Sequence, residues 1–237
     1  MSELGLSSLS DYQDYLKEHP VEWEVLDSFC RITISCFYRD RAVFDALRSS
    51  FLPSLAAQVL SAGSRELRCW SAGCCSGEEA YTLQILWKTS VLPSLRQDLL
   101  LRIIATDADN AVLARAQRGC YSKSSIKDVP GELIQEAFTH SGGLYTIKKT
   151  FTENITFIQQ DIREQLPDGP FHLILCRNFV LTYFTDALQR EILEKIIARL
   201  APGGILVIGS HESIPQGMTT VVPCGSSRGI YQKTECP

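Results

Sequence analysis

Apolar positions in the first 60 residues recur at helical spacing, and from Leu67 onward short apolar runs alternate with amphipathic stretches. Residues 8–30, SLSDYQDYLKEHPVEWEVLDSFC, predict two short helices around Pro20, because proline can start a helix but not sit inside one. The stretch 40-DRAVFDALRSSFLPSLAAQVL-60 predicts a third amphipathic helix broken near Pro53, and SAGSRE at 61–66 predicts a linker. Beyond it, LRCWSA is followed by EEAYTLQILWKTS, LRIIAT by NAVLARAQRG, and FHLILC by DALQREILEKIIARL, with ITFIQQ and GILVIGS as further apolar runs. Strand and helix patterns in alternation predict a mainly parallel sheet covered by helices. Residues 120–150 break the rhythm, and GGLYTIKKTF predicts an edge strand on a small insertion. The tail, TTVVPCGSSRGIYQK, predicts a closing hairpin. The expected division is an N-terminal helical region over 1–60 and a ligand-binding α/β domain over 61–237, with 120–150 inserted.

Composition narrows the function classes. At 237 residues and 45% hydrophobic, the chain can fill one sizeable α/β core. A net charge of −4, from 23 basic and 27 acidic residues, argues against a nucleic-acid partner. The N-terminus has no basic-then-apolar signal pattern, and no run of about 18 apolar residues occurs, so no membrane insertion is expected. Nine cysteines are scattered with no C-x-x-C pair, which favours reduced thiols and a cytoplasmic protein.

The stretch 69-CWSAGCCSGEEAY-81 places a glycine turn between the first strand of the sheet and the next helix, where open α/β sheets bind ligands. Gly73 and Gly77 let a ligand approach the backbone, while Glu78 and Glu79 stand at the helix start. A phosphate loop would carry a lysine and free amides there, so two carboxylates favour a cationic or hydroxyl-rich ligand. The next strand ends in 105-ATDAD-109, which puts Asp107 where an acid hydrogen-bonds ribose hydroxyls and leaves Asp109 as a helix cap. Asp161, after the strand in 156-TFIQQDIRE-164, is placed to accept from an adenine amino group, and a further strand runs into 176-CRN-178. Together these outline an adenosine site without a phosphate grip, which suits S-adenosylmethionine.

The strings SAGCCSGEEAY, ATDAD, LILCRN and FYRD resemble those of the chemotaxis-receptor glutamate methyltransferases, the CheR family, over roughly residues 25–235. The resemblance implies a Rossmann-like class I methyltransferase sheet with a short N-terminal helical region and a small inserted β-subdomain. It also implies S-adenosylmethionine as cofactor and cofactor contacts at Thr33, Ser35, Arg39, Gly73, Glu78, Asp107, Asp161, Ile162, Arg177 and Asn178. By the same resemblance Arg39 orients an acceptor carboxylate and Tyr183, in 181-LTYF-184, completes the pocket near the sulfonium. The family keeps three residues between its Asn and Tyr, whereas 178-NFVLTY-183 has four, which displaces the phenol. Residues 1–30 are mostly acidic, with Lys17 the only Lys or Arg, unlike the basic receptor-binding helix of the family.

The resulting expectation is a methyltransferase acting on a carboxylate, first of all a protein glutamate. A small-molecule or thiol acceptor is the alternative, and a non-catalytic cofactor-binding adaptor the further one. Cys36, Cys74, Cys75 and Cys176 lie in or beside the motifs, where a thiol cluster for a soft ion competes with ordinary packing. Packing is the expectation, with no metal.

Overall fold

A computed structural model describes residues 4, 6, 8–22, 26, 35–225 and 227–234, and divides the chain into a unit of residues 1–34 and a unit of residues 35–237. In the first, helix α1 (Leu9–Glu18) opens on a capping box: Asp11 donates its backbone N–H to Ser8 Oγ at 3.1 Å, and Ser8 donates its own to Asp11 Oδ2 at 3.0 Å. His19 ends the helix, and residues 20–22 turn helical again from Pro20, as the sequence predicts.

The second unit begins with helices α2 (Arg41–Ala46) and α3 (Leu52–Ser61), joined by the π-helical turn Leu47–Phe51. The expected break near Pro53 does not occur. Ala46, Leu47, Phe51 and Leu52 all keep right-handed helical backbone, and Leu52 N–H reaches back five residues to the Leu47 carbonyl. Pro53 has no N–H and its ring needs room over the preceding turn, so one widened turn absorbs it without ending the helix.

A seven-stranded sheet forms the centre. Its strands are β1 (Glu66–Ala72), β2 (Leu100–Asp107), β6 (Ile155–Gln159), β7 (Phe171–Leu175), β8 (Leu200–Val207), β9 (Val221–Pro223) and β10 (Ile230–Lys233). They lie in the order β6-β2-β1-β7-β8-β10-β9, and the first five run parallel. β10 pairs antiparallel with both β8 and β9, which makes the expected terminal hairpin. Strand order reverses between β1 and β7, so the loops leaving those two strands flank the crevice where such sheets bind ligands.

The apolar runs are nearly continuous because helices cover both faces. Leu67, Cys69, Ile103, Leu173 and Val207 enter one core with α2, α3 and helix α4 (Glu78–Leu86). Trp70, Ala72, Ile174, Leu206 and Ile208 enter the other, with helix α8 (Asp186–Ala198) supplying Ile192, Leu193 and Ile196. Helix α5 (Asn110–Arg118) starts on the Asp109 side chain, which accepts from Ala111 N–H at 2.8 Å.

Residues 120–147 form a separate three-stranded antiparallel sheet of β3 (Cys120–Ser122), β4 (Phe138–Ser141) and β5 (Leu144–Ile147), with helix α6 (Gly131–Ala137) preceding β4. β5 is its middle strand, not the edge strand that GGLYTIKKTF predicts. Its partners CYS and FTHS are too short and polar to register as strands.

One buried polar bond links β1 to β2 beside the crevice: Trp70 Nε1 donates to Thr106 Oγ1 at 2.9 Å. Thr106→Val keeps the shape but strands the indole N–H. Urea unfolding should show a loss of about 1–3 kcal/mol, and an unchanged midpoint would mean that the indole finds another acceptor.

Candidate active site

The turn after β1 is shaped by three left-handed residues, Gly73 (φ 68°), Cys75 (φ 50°) and Gly77 (φ 83°). It is fastened to the end of β2: Cys74 N–H donates to the Thr106 carbonyl at 2.9 Å, and Cys75 N–H to Asp107 Oδ2 at 2.9 Å. The other carboxylate oxygen of Asp107 accepts from Asp109 N–H at 3.0 Å. Asp107 therefore sets the two strand-end turns against each other with its carboxylate at the crevice. On the far side Arg115 Nη2 donates to Ser76 Oγ at 2.6 Å and Tyr121 OH to the Ser76 carbonyl at 2.7 Å.

Glu78 and Glu79 have different surroundings. Glu78 is 3% exposed, its Oε2 has no partner among the described residues, and burial pushes its carboxyl above the ordinary range against the opposing pull of the Ser35 hydroxyl and Arg115. Glu79 accepts from Ser71 Oγ at 2.7 Å and from Arg177 Nη1 at 3.1 Å. The other terminal nitrogen of Arg177 donates to Asp40 Oδ2 at 2.7 Å and to the Arg39 carbonyl at 2.9 Å. The Arg177 guanidinium also lies 5.1 Å from the centre of the Phe44 ring. Through that one side chain the loop after β7 holds residues 39–40 against the start of α4.

Residues 37–40 are held elsewhere as well. Phe37 N–H donates to the Ser125 carbonyl at 2.8 Å, Tyr38 N–H to Thr82 Oγ1 at 3.3 Å, and Tyr38 OH to Asp45 Oδ1 at 3.0 Å. Burial and the Asp45 bond push the Tyr38 phenol up to about 12. Tyr38 and Asp40 both take φ 60°, which gives this segment its sharp course and sets the Arg39 side chain between two fixed neighbours.

Asn178 follows Arg177 in left-handed conformation (φ 52°), and Glu212 fixes it there. Glu212 Oε2 accepts from Asn178 N–H at 2.9 Å and Gly209 N–H at 2.6 Å, while its Oε1 accepts from Thr182 OH at 2.6 Å. A Cβ on Gly209 would meet Asn178 Nδ2 at 2.7 Å and Glu212 Oε2 at 2.8 Å, so a side chain there would displace the amide and its anchor. A cleft of about 470 Å³ opens beyond Glu212, bordered by His211, Arg228 and Tyr231.

Asp161 is engaged by its own neighbour. Its two oxygens accept from Arg163 Nε at 3.0 and 3.1 Å and from Nη2 at 2.5 Å, and Oδ1 also accepts from Arg163 N–H at 2.9 Å. Ile162 beside it is buried. Gln160, one residue earlier, has a buried Oε1 without a partner among the described residues. Tyr183 ends the short helix α7 (Val180–Tyr183) and is 52% exposed. Thr33 lies outside the described residues.

The structure thus gathers Ser35, Arg39, Gly73, Glu78, Asp107, Arg177 and Asn178 around the ends of β1, β2 and β7, sets Asp161 and Ile162 after β6, and leaves Tyr183 toward solvent. Sequence reasoning missed Ser76, Arg115, Tyr121, Phe179 and Glu212. The strand-end rule that found Asp107 also reaches Glu212, an acid shortly after the parallel strand β8. Tyr121 carried no such signal, since it comes from the inserted sheet.

The thiols take packing roles. Burial pushes Cys75 up to about 11 and Cys176 up to about 12, and raises Cys36 and Cys74 as well, so these sulfurs stay protonated. Cys36 lies 3.6 Å from Asp128 Oδ2. Among the described residues no group of three or more His, Cys, Asp or Glu is placed to hold a metal ion.

A doubly wound sheet with a carboxylate-rich crevice at its switch point, and no lysine-bearing phosphate loop, defines a nucleoside-binding site of the kind methyltransferases use. The comparisons with known proteins fix the family. Residues 34–230 match the CheR methyltransferase SAM-binding domain, and the chain belongs to that family. It is therefore an S-adenosylmethionine-dependent methyltransferase. It is similar to the chemotaxis protein methyltransferases of Listeria monocytogenes (33% identity, covering 87% of this chain and 75% of that one) and Listeria innocua (32%, with the same coverage). That of Borreliella burgdorferi is 28% identical, covering 89% of this chain and 75% of its own. Among the described residues no helix is long and apolar enough to cross a membrane.

The buried Glu78 carboxyl has a measurable consequence without ligand. A carboxyl whose folded value is raised above its unfolded one stabilises the fold below the unfolded value, and that stability is lost as pH rises through the folded value. Glu78→Gln should therefore raise the Tm of the ligand-free protein at pH 7. The gain should shrink as pH falls toward the ordinary carboxyl value of 4.5. A lower Tm at pH 7 would show that the ionised carboxylate is held by a partner it needs.

Proposed function

We propose that this chain transfers a methyl group from S-adenosylmethionine to the side-chain carboxylate of an acceptor protein, a glutamate first of all, in the cytoplasm. The observation that supports this most is the fixed segment 37–40, which carries Arg39 and is tied to the cofactor turn's helix through Arg177, paired with both Asp40 and Glu79. The cation on Arg39 is the group of this segment that would attract an anionic acceptor. The names of the relatives make a chemotaxis protein the first acceptor class to try. The seven cysteines in the described residues are all unpaired, as expected of a reducing compartment.

In this scheme S-adenosylmethionine supplies an electrophilic methyl carbon on a sulfonium. Asp107 would accept from the ribose hydroxyls, and Glu78 Oε2, a buried acceptor without a donor among the described residues, would take the ammonium of the methionine half. Ser35 lies against that carboxyl. A glutamate side chain with an ordinary value of about 4.3 is already an anion at pH 7, so the protein moves no proton. Arg39 aligns that anion with its planar fork, and the walls keep water from competing for the methyl carbon. As the C–O bond forms the S–C bond breaks, its electron pair stays on sulfur, and a methyl ester leaves.

Two measurements test the scheme. Protein incubated with methyl-labelled S-adenosylmethionine and separate panels of proteins, carboxylic acids and thiols should label a protein in a base-labile form. Base-stable label, or label only in thiols, overturns the carboxylate assignment. Arg39→Lys keeps the charge and loses the fork, so kcat should fall far more than cofactor affinity, and a normal kcat with weakened cofactor binding would move Arg39 to the cofactor.

Asp107→Ala removes hydrogen bonds worth about 1.5–3 kcal/mol, a ten- to hundredfold loss of cofactor affinity on the order expected for charged acceptors. Unchanged affinity in calorimetry would leave Asp107 with only its role of fixing the two turns.

A further inference from the structure

The loop after β7 carries an aromatic ring that neither the motifs nor the proposed reaction uses. Phe179 is the residue between Asn178 and helix α7, and its backbone (φ −136°, ψ −91°) is neither helical nor extended. Its ring is seated on the cofactor turn. A Cβ at position 73 would lie 2.6 Å from Phe179 Cδ1, 2.8 Å from Cγ and 3.1 Å from Cε1, so the absence of a side chain at Gly73 is what admits the ring. The ring also packs against Phe184, with ring centres 5.6 Å apart and planes tilted 59°. Phe179 is only partly buried, which leaves part of the ring turned out of the core.

Its place along the crevice follows from the strand order. Gly73 leaves β1 and Phe179 follows β7, the two strands on either side of the point where the order reverses. Asp107 stands one strand further out, at the end of β2, and Asp161 after β6 beyond it. A nucleoside with its ribose on Asp107 and its base toward β6 must lay its other half over β1 and β7. For S-adenosylmethionine that half begins with the sulfonium. Glu78, whose buried oxygen suits the methionine ammonium, is on the helix that follows the same turn.

We propose that Phe179 is the aromatic wall against which the sulfonium is placed, so that the ring's negative face prefers the charged donor to its neutral product. In NFVLTY four residues lie between Asn178 and Tyr183, with Phe179 directly after Asn178 at this wall and Tyr183 half-exposed. This assignment deepens the cofactor part of the proposed function and is independent of which acceptor is methylated. The wall also gives product release a direction: after transfer the sulfur is neutral and the attraction is gone.

The test is a comparison of two ligands that differ by one methyl group and one charge. Calorimetry with S-adenosylmethionine and S-adenosylhomocysteine is run on the wild type, Phe179→Leu and Phe179→Tyr, each checked for a folded thermal transition. Phe179→Leu should weaken S-adenosylmethionine by about 3- to 30-fold and leave S-adenosylhomocysteine nearly unchanged, whereas Phe179→Tyr should keep the wild-type ratio. Equal losses for both ligands, tighter binding of both, or a tyrosine variant that behaves like leucine overturns the assignment of Phe179 alone. Failure of the wild type to bind either nucleoside overturns the cofactor site together with it.

Discussion

The Arg177 guanidinium, almost without solvent access, is where three parts of the chain meet: the end of β7 that carries it, the start of α4 through Glu79, and residues 39–40 through a carbonyl and a carboxylate. Burying an arginine costs several kcal/mol unless its donors are matched, and removing one partner of such a set typically costs about 3–5 kcal/mol. Here both terminal nitrogens are matched, the buried Nε has no partner among the described residues, and the Phe44 ring lies close by. The arrangement fixes position more than it adds stability. Replacing such a set by apolar side chains is often nearly neutral for folding, yet here it would remove the bond that ties the Arg39 carbonyl to the end of β7.

That constraint explains why the acidic residues of the site differ in character although they sit close in sequence. Glu79 is spent on Arg177 and Ser71, which leaves its neighbour Glu78 buried and short of a partner on one oxygen. One carboxylate holds the scaffold and the adjacent one keeps a buried oxygen without a partner among the described residues. A buried acceptor without a donor is destabilising by itself, and such a defect is tolerated where a ligand completes it. Glu212 does for Asn178 what Arg177 does for Arg39, taking two backbone N–H groups and a hydroxyl to hold a left-handed residue in place.

The parallel sheet was legible in the sequence because strands buried on both faces must be continuously apolar, and LRCWSA, LRIIAT, FHLILC and GILVIGS are. The glycine turn and Asp107 were legible for a similar reason, since strand ends at a switch point have few chemical options. What escaped was set by tertiary partners. The helix over 41–61 runs through Pro53 because a π-turn takes up the missing hydrogen bond, a remedy no local pattern announces. The order β3-β5-β4 depends on three- and four-residue strands whose pairing comes from hairpin geometry at Gly142 and Gly143, not from hydrophobicity. Asp161 showed as an acid after a strand, but its chelation by Arg163 two residues on belongs to the turn's conformation.

On the assignment proposed for Phe179, one added residue redistributes roles without disturbing the frame. Cys176 to Asn178 remain in register with β7, because Arg177 and Glu212 pin them from both sides. The added length must therefore be absorbed after Asn178, where the backbone leaves regular geometry for one residue before α7 begins. At that point the Phe179 ring lies on the surface of Gly73, where no side chain stands in its way. A ring driven there by chain length meets the crevice at the strand pair where a cofactor's charged centre would lie. On the proposed assignment, the glycine that admits the ring also sets it where it would distinguish the charged methyl donor from its spent form.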